Sequence, residues 1–380
     1  MTPWFDYPRQ QWREKHAVVV GAGIAGCQVS WHLSKLGWRV TLLEREDHIS
    51  SQASGNMAGI ISPLMSAKPS KTEQFYWQAF EYVIQHLKAL KSRGLNLDWF
   101  DCGVLQLAHS ERELKRWQAL KNRQLPTEFI QLLDAKQASE VAGVSCSYPA
   151  SYYPQAGYIN PTSWCRALIE DSRCELITSA DVAALVLDDD SYWQVQDSSG
   201  DLLAAAEVVV LSNGRGINLF PQSEQLPLTH VLGQTTLAVS SNQSSGLKCA
   251  INHEGYITPA YRDTHVFGAT FDREFEHITA DELADQRNLE QLSRHFQKDR
   301  DLKPLLEELK SYYENRGVNL IKVEDRWAFR TAPDMAPLLR VEQSQSKQLT
   351  RAGVETLAII AYHQPVTRAE IEEIRGVAVS

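Results

Sequence analysis

Three glycines and one acidic residue near the N-terminus have the types and spacing of a dinucleotide-binding site. Gly21, Gly23 and Gly26 form a GxGxxG motif, and Glu44 follows 18 residues after the last of them. The first glycine permits a tight turn, the second lets a pyrophosphate approach the backbone, and the third lets a helix pack closely on a strand. A carboxylate at this distance accepts hydrogen bonds from ribose hydroxyls and repels a 2′-phosphate, which favours FAD or NAD over NADP. The alternative is that the glycines serve tight packing alone.

These residues require a βαβ unit to position them, and the surrounding sequence has that pattern. Residues 17–20 predict a buried strand, residues 24–36 a helix that Gly37 ends, and residues 39–43 a second strand that leads to Glu44. This order places the N-terminus of the helix, with its free N–H groups and partial positive charge, at the pyrophosphate.

A run of small residues follows the acid, from 50 to 63. Backbone amides in such a run can close over a bulky cofactor, which favours FAD over NAD. The alternative is an ordinary flexible loop. The candidate cofactor contacts in this run are Ser54, Gly55, Asn56 and Gly59.

A third apolar strand, predicted at 207–211, runs into a turn of small residues that contains Asn213 and Gly214. A buried strand followed by such a turn suits a backbone pressed against a ligand, so both residues are further candidate cofactor contacts. A core strand with a generic turn is the alternative.

The rest of the chain alternates helical and strand patterns. An apolar face that includes Tyr76 predicts a helix at 72–91, and a strand is expected at 98–107. Residues 148–161 are interpreted as a shaped loop, with Thr162 as the cap of a helix that continues to residue 171. Further predicted elements are a helix at 111–121, strands at 175–177, 183–187, 192–196 and 233–239, neighbouring strands within 253–259 and 265–270, and helices at 281–298 and 304–315.

This alternation predicts an α/β fold in which a Rossmann-type cofactor domain is interleaved with an α+β substrate domain. We assign 16–95 and 150–225 to the FAD-binding domain, and 96–149 and 226–340 to the substrate domain. Residues 1–15 are expected to be a linker-like segment and residues 341–380 a short helical tail.

Composition excludes several classes of protein. The 380 residues are 43% hydrophobic, and no apolar run is long enough to span a membrane or to act as a secretory signal. The six cysteines form no CxxC pair, which predicts neither a zinc site nor a disulfide framework, and no metal site is expected; the pattern favours the cytoplasm. A net charge of −9 argues against a broad surface that coats nucleic acid, although a local basic groove stays possible.

Several motifs in this chain occur in an order that is similar to one family. They are GAGIAG, ASGNMAGIISPLMS, YPQAGYINP, VVVLSNG, HEGYITP, FGATFDR and FRTAPDMAPLL. Together with Glu44 they resemble the D-amino-acid-oxidase-like FAD oxidoreductases, and over residues from about 15 to about 340 they resemble most closely the FAD-dependent half of the bifunctional tRNA 5-methylaminomethyl-2-thiouridine biosynthesis family. The start of the chain, 2–5, is similar to the linker after the methyltransferase half of that family.

This resemblance implies FAD as cofactor and a modified wobble uridine in tRNA as substrate. The carboxymethyl arm of 5-carboxymethylaminomethyl-(2-thio)uridine would be removed by hydride transfer from its C–H bond to flavin N5 and hydrolysis of the imine. The resemblance further implies Arg330 as the partner of the substrate carboxylate and Tyr256 as a residue that orients the carboxylate or the amine. Arg330 as a structural ion-pair residue and Tyr256 as a core aromatic with a satisfied hydroxyl are the alternatives.

The end of the chain resembles a second family. Residues 347–380 are similar to a fragment of segregation and condensation protein B, where the first family has a glycine-rich segment that contacts the flavin. A chimera, a natural fusion and a structural replacement of the flavin-contact segment are the three explanations. The alternative functions are a glycine or D-amino-acid oxidase, and an inactive chimera or fusion whose tail contacts chromosome-segregation proteins. The expected partners are tRNA and a separate methyltransferase domain, with no membrane, and the partner of the tail stays open.

Overall fold

The computed structural model describes residues 12–242, 244–273, 275, 280–295, 303–314, 318–323 and 326–331. The chain divides into two compact units, one of residues 1–315 and 320–329, the other of residues 316–319 and 330–380. The predicted tail at 341–380, with the 347–380 resemblance, lies outside the described residues, as does most of the linker-like segment at 1–15.

The strands of the described residues fall in two halves of the chain. The first are β1 (His16–Val20), β2 (Arg39–Leu43), β3 (Gly59–Ile61), β4 (Trp99–Phe100), β5 (Val104–Leu107), β6 (Gln131–Leu133), β7 (Ala150–Tyr153), β8 (Gly157–Ile159) and β9 (Glu175–Ile177). The others are β10 (Ala184–Leu187), β11 (Trp193–Gln196), β12 (Leu202–Ala206), β13 (Val208–Leu211), β14 (Thr235–Val239), β15 (Ala250–Asn252), β16 (Tyr256–Ile257), β17 (Thr264–Gly268), β18 (Val318–Val323) and β19 (Arg326–Thr331).

The helices connect these strands. They are α1 (Ile24–Lys35), α2 (Lys71–Ser92), α3 (Glu111–Lys121), α4 (Ala135–Ala142), α5 (Pro161–Asp171), α6 (Glu282–His295) and α7 (Lys303–Tyr313), with 3₁₀ turns at Ala53–Gly55 and Gly214–Leu219. Within the described part of the chain, no helix combines the length and the apolar character that a membrane span requires.

A four-stranded parallel sheet forms the centre of the cofactor half, in the order β13-β1-β2-β9. All five residues of β1 are buried, because both faces of the sheet are covered. On one face α1 packs against β2 and α5, and on the other Val18, Val20 and Leu43 pack against a core that contains Leu185 and Val195 of the antiparallel sheet β10-β11-β12. This is the Rossmann-type layering that the sequence predicts.

The second half is built on a mixed sheet of seven strands, in the order β14-β17-β16-β15-β5-β7-β6. Only β15 and β5 run parallel; the other neighbours whose pairing is described run antiparallel. Helices α4 and α6 pack against this sheet, and β3, β8 and β4 form a small antiparallel sheet of their own. Because β7 belongs to the seven-stranded sheet, the domain boundary predicted at residue 150 cuts through that sheet.

Four local predictions are wrong. The predicted loop at 148–161 contains β7 and β8, and the strand predicted at 98–107 is two strands, because Gly103 turns the chain with φ +80°. Asn160, not Thr162, caps α5: its Oδ1 accepts a hydrogen bond of 2.9 Å from the Ser163 amide, and a proline follows at the first helical position. Tyr76, predicted on the buried face of α2, is 49% exposed.

Candidate cofactor site

The GxGxxG turn lies where β1, β2 and β13 end together. Gly21 has φ +99°, a conformation that side chains disfavour, and its amide donates a hydrogen bond of 2.8 Å to the Leu43 carbonyl. A Cβ atom on Gly21 would lie 2.8 Å from the Cα atom of Asn213. Glycine is therefore required here because the turn after β13 presses against the turn after β1.

The other two glycines set the start of α1. Gly23 occupies the N-cap position, where among the described residues no side chain caps the helix, and the first turn carries no acidic residue. A Cβ atom on Gly26 would lie 1.8 Å from the Gly21 carbonyl oxygen, so the helix rests directly on the turn. The positive end of the α1 dipole is thus left for an anionic group.

Glu44 follows β2, and only 7% of its surface is exposed. One carboxylate oxygen accepts a hydrogen bond of 2.8 Å from the Ala22 amide, and the other accepts one of 3.2 Å from the Glu46 amide. These two bonds fix the carboxylate beside the glycine turn. Because a carboxylate has about four acceptor positions, it can still accept hydrogen bonds from ribose hydroxyls.

The run of small residues lies across the N-terminus of α1. Ser54 Oγ accepts a hydrogen bond of 2.9 Å from the Ile24 amide, and a Cβ atom on Gly23 would lie 3.0 Å from the same oxygen. Gly55 is equally constrained, since a Cβ atom there would lie 2.6 Å from the Ser50 carbonyl oxygen. Gly59 begins β3 and pairs with Ile159 of β8. The segment is thus anchored on two sides.

Asn213 and Gly214 begin the 3₁₀ turn after β13. The Asn213 carbonyl accepts a hydrogen bond of 3.0 Å from the Gly216 amide, whereas its side-chain Oδ1 is buried and has no hydrogen-bond partner among the described residues. A buried acceptor without a partner is costly, so a bound group that donates to it would stabilise the fold.

The geometry of these residues fits a dinucleotide. The uncapped helix N-terminus suits a pyrophosphate, the Glu44 carboxylate suits ribose hydroxyls, and the unpaired Asn213 oxygen offers an acceptor beside the glycine turn. The sequence predicted these residues from three separate segments, and the structure brings the three segments together.

The whole sequence also matches a known family. The profile described as FAD dependent oxidoreductase (DAO) matches residues 16–356, which is most of the chain. The chain belongs to this family. It is an FAD-dependent oxidoreductase of mixed α/β fold, and the fold class and cofactor that the sequence predicts are confirmed.

Curated relatives of the oxidoreductase carry one name. The tRNA 5-methylaminomethyl-2-thiouridine biosynthesis bifunctional protein MnmC of Pseudomonas fluorescens is 36% identical over 294 residues, which are 77% of this chain and 44% of that relative. The protein of the same name from Chromobacterium violaceum is 33% identical over 341 residues, 89% of this chain and 49% of the relative. The chain thus spans about half the length of the relatives it matches.

Solved structures share the fold of the oxidoreductase. Glycine oxidase from Bacillus cereus aligns with a TM-score of 0.62 at 20% identity, covering 78% of this chain and 80% of that one. L-proline dehydrogenase from P. horikoshii aligns with a TM-score of 0.59 at 15% identity, covering 97% of this chain and 100% of that one.

Tyr256 links the seven-stranded sheet of the oxidoreductase to the run of small residues. Its hydroxyl donates a hydrogen bond of 2.7 Å to the Ala58 carbonyl and accepts one of 3.1 Å from Asn56 Nδ2. Burial raises the pKa of Tyr256, so the hydroxyl keeps its proton and acts as a donor at neutral pH. The hydroxyl is satisfied within the chain, as the alternative interpretation expects, and its role toward substrate stays a prediction.

Three further residues position this segment and were not singled out from the sequence. Thr235 Oγ1 donates to Asn56 Oδ1 at 3.3 Å, Asn160 Nδ2 donates to the Met57 carbonyl at 3.2 Å, and Thr162 Oγ1 donates to the Ser54 carbonyl at 3.4 Å. Asn160 and Thr162 follow the YPQAGYIN motif that the sequence analysis used, but their contacts depend on residues about 100 positions earlier.

Arg330 lies near the end of β19 and is exposed. It belongs to the second compact unit, with residues 316–319 and the end of the chain, whereas Tyr256 belongs to the first. Its predicted role as partner of a substrate carboxylate therefore stays a prediction.

Proposed function

We propose that this oxidoreductase removes the carboxymethyl arm of 5-carboxymethylaminomethyl-(2-thio)uridine at the wobble position of tRNA. The observation that supports this proposal is the 33–36% identity to proteins named for tRNA 5-methylaminomethyl-2-thiouridine biosynthesis. Identity at this level extends over 77–89% of the chain, whereas the solved structures support the fold alone. Because those relatives are bifunctional and about twice as long, we also propose that the chain acts beside a separate methyltransferase domain.

In this proposal the cofactor is held by the residues of the candidate site. The backbone at Gly21 and Gly23 and the N-terminus of α1 bind the pyrophosphate, and Glu44 binds the adenosine ribose. Ser54, through its bond to the Ile24 amide, keeps the run of small residues over the pyrophosphate. When bound, FAD accepts a hydride from the substrate.

The substrate loses that hydride from the carbon beside its secondary amine, and the amine loses its proton. Water then adds to the C=N bond and splits it, which leaves the aminomethyl base and releases glyoxylate. Arg330 is proposed to bind the substrate carboxylate, because a guanidinium can donate two parallel hydrogen bonds to it. Tyr256 is proposed to position the substrate-facing strand through its bonds to Asn56 and Ala58.

The test is turnover of the FAD-loaded chain on tRNA that carries the modified base. FAD content is measured first by visible absorbance after gel filtration, so that loss of cofactor and loss of activity are distinguished. We expect conversion of the modified nucleoside to its aminomethyl form, with one glyoxylate released per conversion, and no conversion of tRNA that lacks the arm. Glycine and D-amino acids are assayed in parallel. Turnover of these free amino acids without turnover of the tRNA would refute the proposal.

A further inference from the structure

Three metal-ligating side chains meet at one edge of the seven-stranded sheet. They are His109, just after β5; Glu254, in the turn between β15 and β16; and His295, the last residue of α6. One ligand atom from each of the three lies within 4.8 Å of the others. None of them belongs to the cofactor site described above, and their wide separation along the chain explains why no metal cluster was expected from the sequence.

The state of His295 is the independent sign that this cluster lacks a ligand. Its surface is only 4% exposed, and among the described residues neither ring nitrogen has a hydrogen-bond partner. The nearest acceptor, a carboxylate oxygen of Glu254, lies 3.6 Å from Nε2. A buried imidazole without partners is costly, and a metal ion bound to one of its nitrogens would remove part of that cost.

The other two residues are arranged as ligands. His109 Nδ1 lies 3.2 Å from the Leu107 carbonyl, so a proton on Nδ1 leaves Nε2 as a free electron-pair donor. Glu254 is 41% exposed and contacts Arg294 at 3.5 Å, and an exposed ion pair of this kind is weak enough to yield to a metal ion.

We propose that His109, Glu254 and His295 bind a Zn²⁺ ion. Two imidazoles and one carboxylate are a common ligand set for zinc, and water can fill the fourth position because Glu254 and His109 reach the surface. In a tetrahedral site with bonds of about 2.0–2.1 Å the ligand atoms lie about 3.3 Å apart, so the cluster contracts by about 1.5 Å at most. The cation also lies at the C-terminal end of α6, where the helix dipole favours positive charge.

The ion would fasten the end of α6 to the seven-stranded sheet. Glu254 stands two residues before Tyr256, so the turn that carries the ligand also leads into β16. Because Zn²⁺ binds the folded chain through residues from three elements, binding stabilises the fold by mass action. The site is therefore proposed as a structural one, separate from the oxidation of substrate.

The experiment uses the full FAD-loaded chain, treated with a chelator, dialysed and titrated with Zn²⁺ alone. Calorimetry and elemental analysis are expected to give one Zn²⁺ per chain, with a rise in Tm of a few degrees that saturates at one equivalent. Glu254→Gln and His109→Ala are each expected to weaken Zn²⁺ binding at least about tenfold. Glu254 is exposed, so its variant folds and keeps the test valid even if replacing the buried His295 does not.

The matched control is His230→Ala, which removes an exposed histidine outside the cluster and is expected to keep wild-type Zn²⁺ affinity. Substitution of Co²⁺ supplies a visible band whose intensity reports tetrahedral coordination, and this band is expected to be lost in Glu254→Gln. Wild-type protein that binds no Zn²⁺, or unchanged Zn²⁺ affinity in both Glu254→Gln and His109→Ala, would overturn the proposal.

Discussion

Replacement of Gly26 by alanine tests how closely FAD binding depends on the contact between α1 and the glycine turn. In an ordinary helix this change would stabilise the protein by about 1 kcal/mol, because alanine is the better helix former. Here the new Cβ atom would lie 1.8 Å from the Gly21 carbonyl oxygen, whereas ordinary contacts begin at 3.4 Å. The turn or the helix must therefore move by about 1.6 Å, and overpacking of this kind costs about 1–3 kcal/mol or more.

The displacement acts directly on the cofactor site. It moves the Gly21 amide away from the Leu43 carbonyl and the Ala22 amide away from Glu44, and both bonds are 2.8 Å long in the wild type. We expect FAD affinity to fall at least tenfold, which corresponds to about 1.4 kcal/mol. The free energy of unfolding of the apoprotein is expected to fall by about 1–2 kcal/mol, the overpacking cost less the gain in helix propensity.

The assay measures FAD per chain after gel filtration and FAD affinity by titration of the apoprotein, with urea unfolding for stability. Gly37→Ala is the matched control at the other end of the same helix. Gly37 has φ +82° but no atom within 4 Å of its added Cβ, so the control carries backbone strain of about 1–2 kcal/mol without a collision. It should keep wild-type FAD affinity. Wild-type FAD content and affinity in Gly26→Ala would refute the reasoning.

Three further substitutions have defined outcomes. The hydrogen bond from Arg123 holds the pKa of Glu73 below its usual 4.5, so this pair stabilises the fold above about pH 4.5 and less as the pH falls. Glu73→Gln should cost about 3 kcal/mol in urea unfolding at pH 7, with the cost shrinking in acid, whereas the exposed Glu111→Gln should cost under about 0.5 kcal/mol; equal costs, or a cost independent of pH, would contradict this. Tyr256→Phe should lose about 1 kcal/mol of stability and about tenfold in kcat/KM on modified tRNA while keeping its FAD, and unchanged turnover would exclude a positioning role. Arg330→Ala should raise KM at least about tenfold with folding intact, and Arg330→Lys should recover only part of the loss; an unchanged KM in both would exclude the carboxylate role.

The local parts of the cofactor site could be predicted from sequence. The βαβ unit follows from an apolar run, a glycine motif and a helical period that lie next to one another, and the structure differs only by a residue or so at the ends. Gly37 takes the left-handed conformation that ends the helix. These features depend on neighbours in sequence, which explains why pattern alone was sufficient.

The parts that depend on distant residues could not be predicted. The segment 148–161 was interpreted as a loop because its prolines and glycines mask two short strands, whose partners are β5 and β6 on one side and β3 and β4 on the other. The satisfied hydroxyl of Tyr256 depends on Asn56, 200 residues away. The His109, Glu254 and His295 cluster likewise needs three elements to meet before any pattern exists.

The position of β1 between β2 and β13 has a consequence for the protein during its synthesis. β2 leaves the ribosome soon after β1, but β13 begins roughly 190 residues after β1 ends. At about 5–20 residues per second, one edge of a fully buried strand waits about 10–40 s for its partner. Asn213, which stands against Gly21, emerges only then, so the nascent chain cannot complete its nucleotide cradle before that time and depends until then on protection of the open edge.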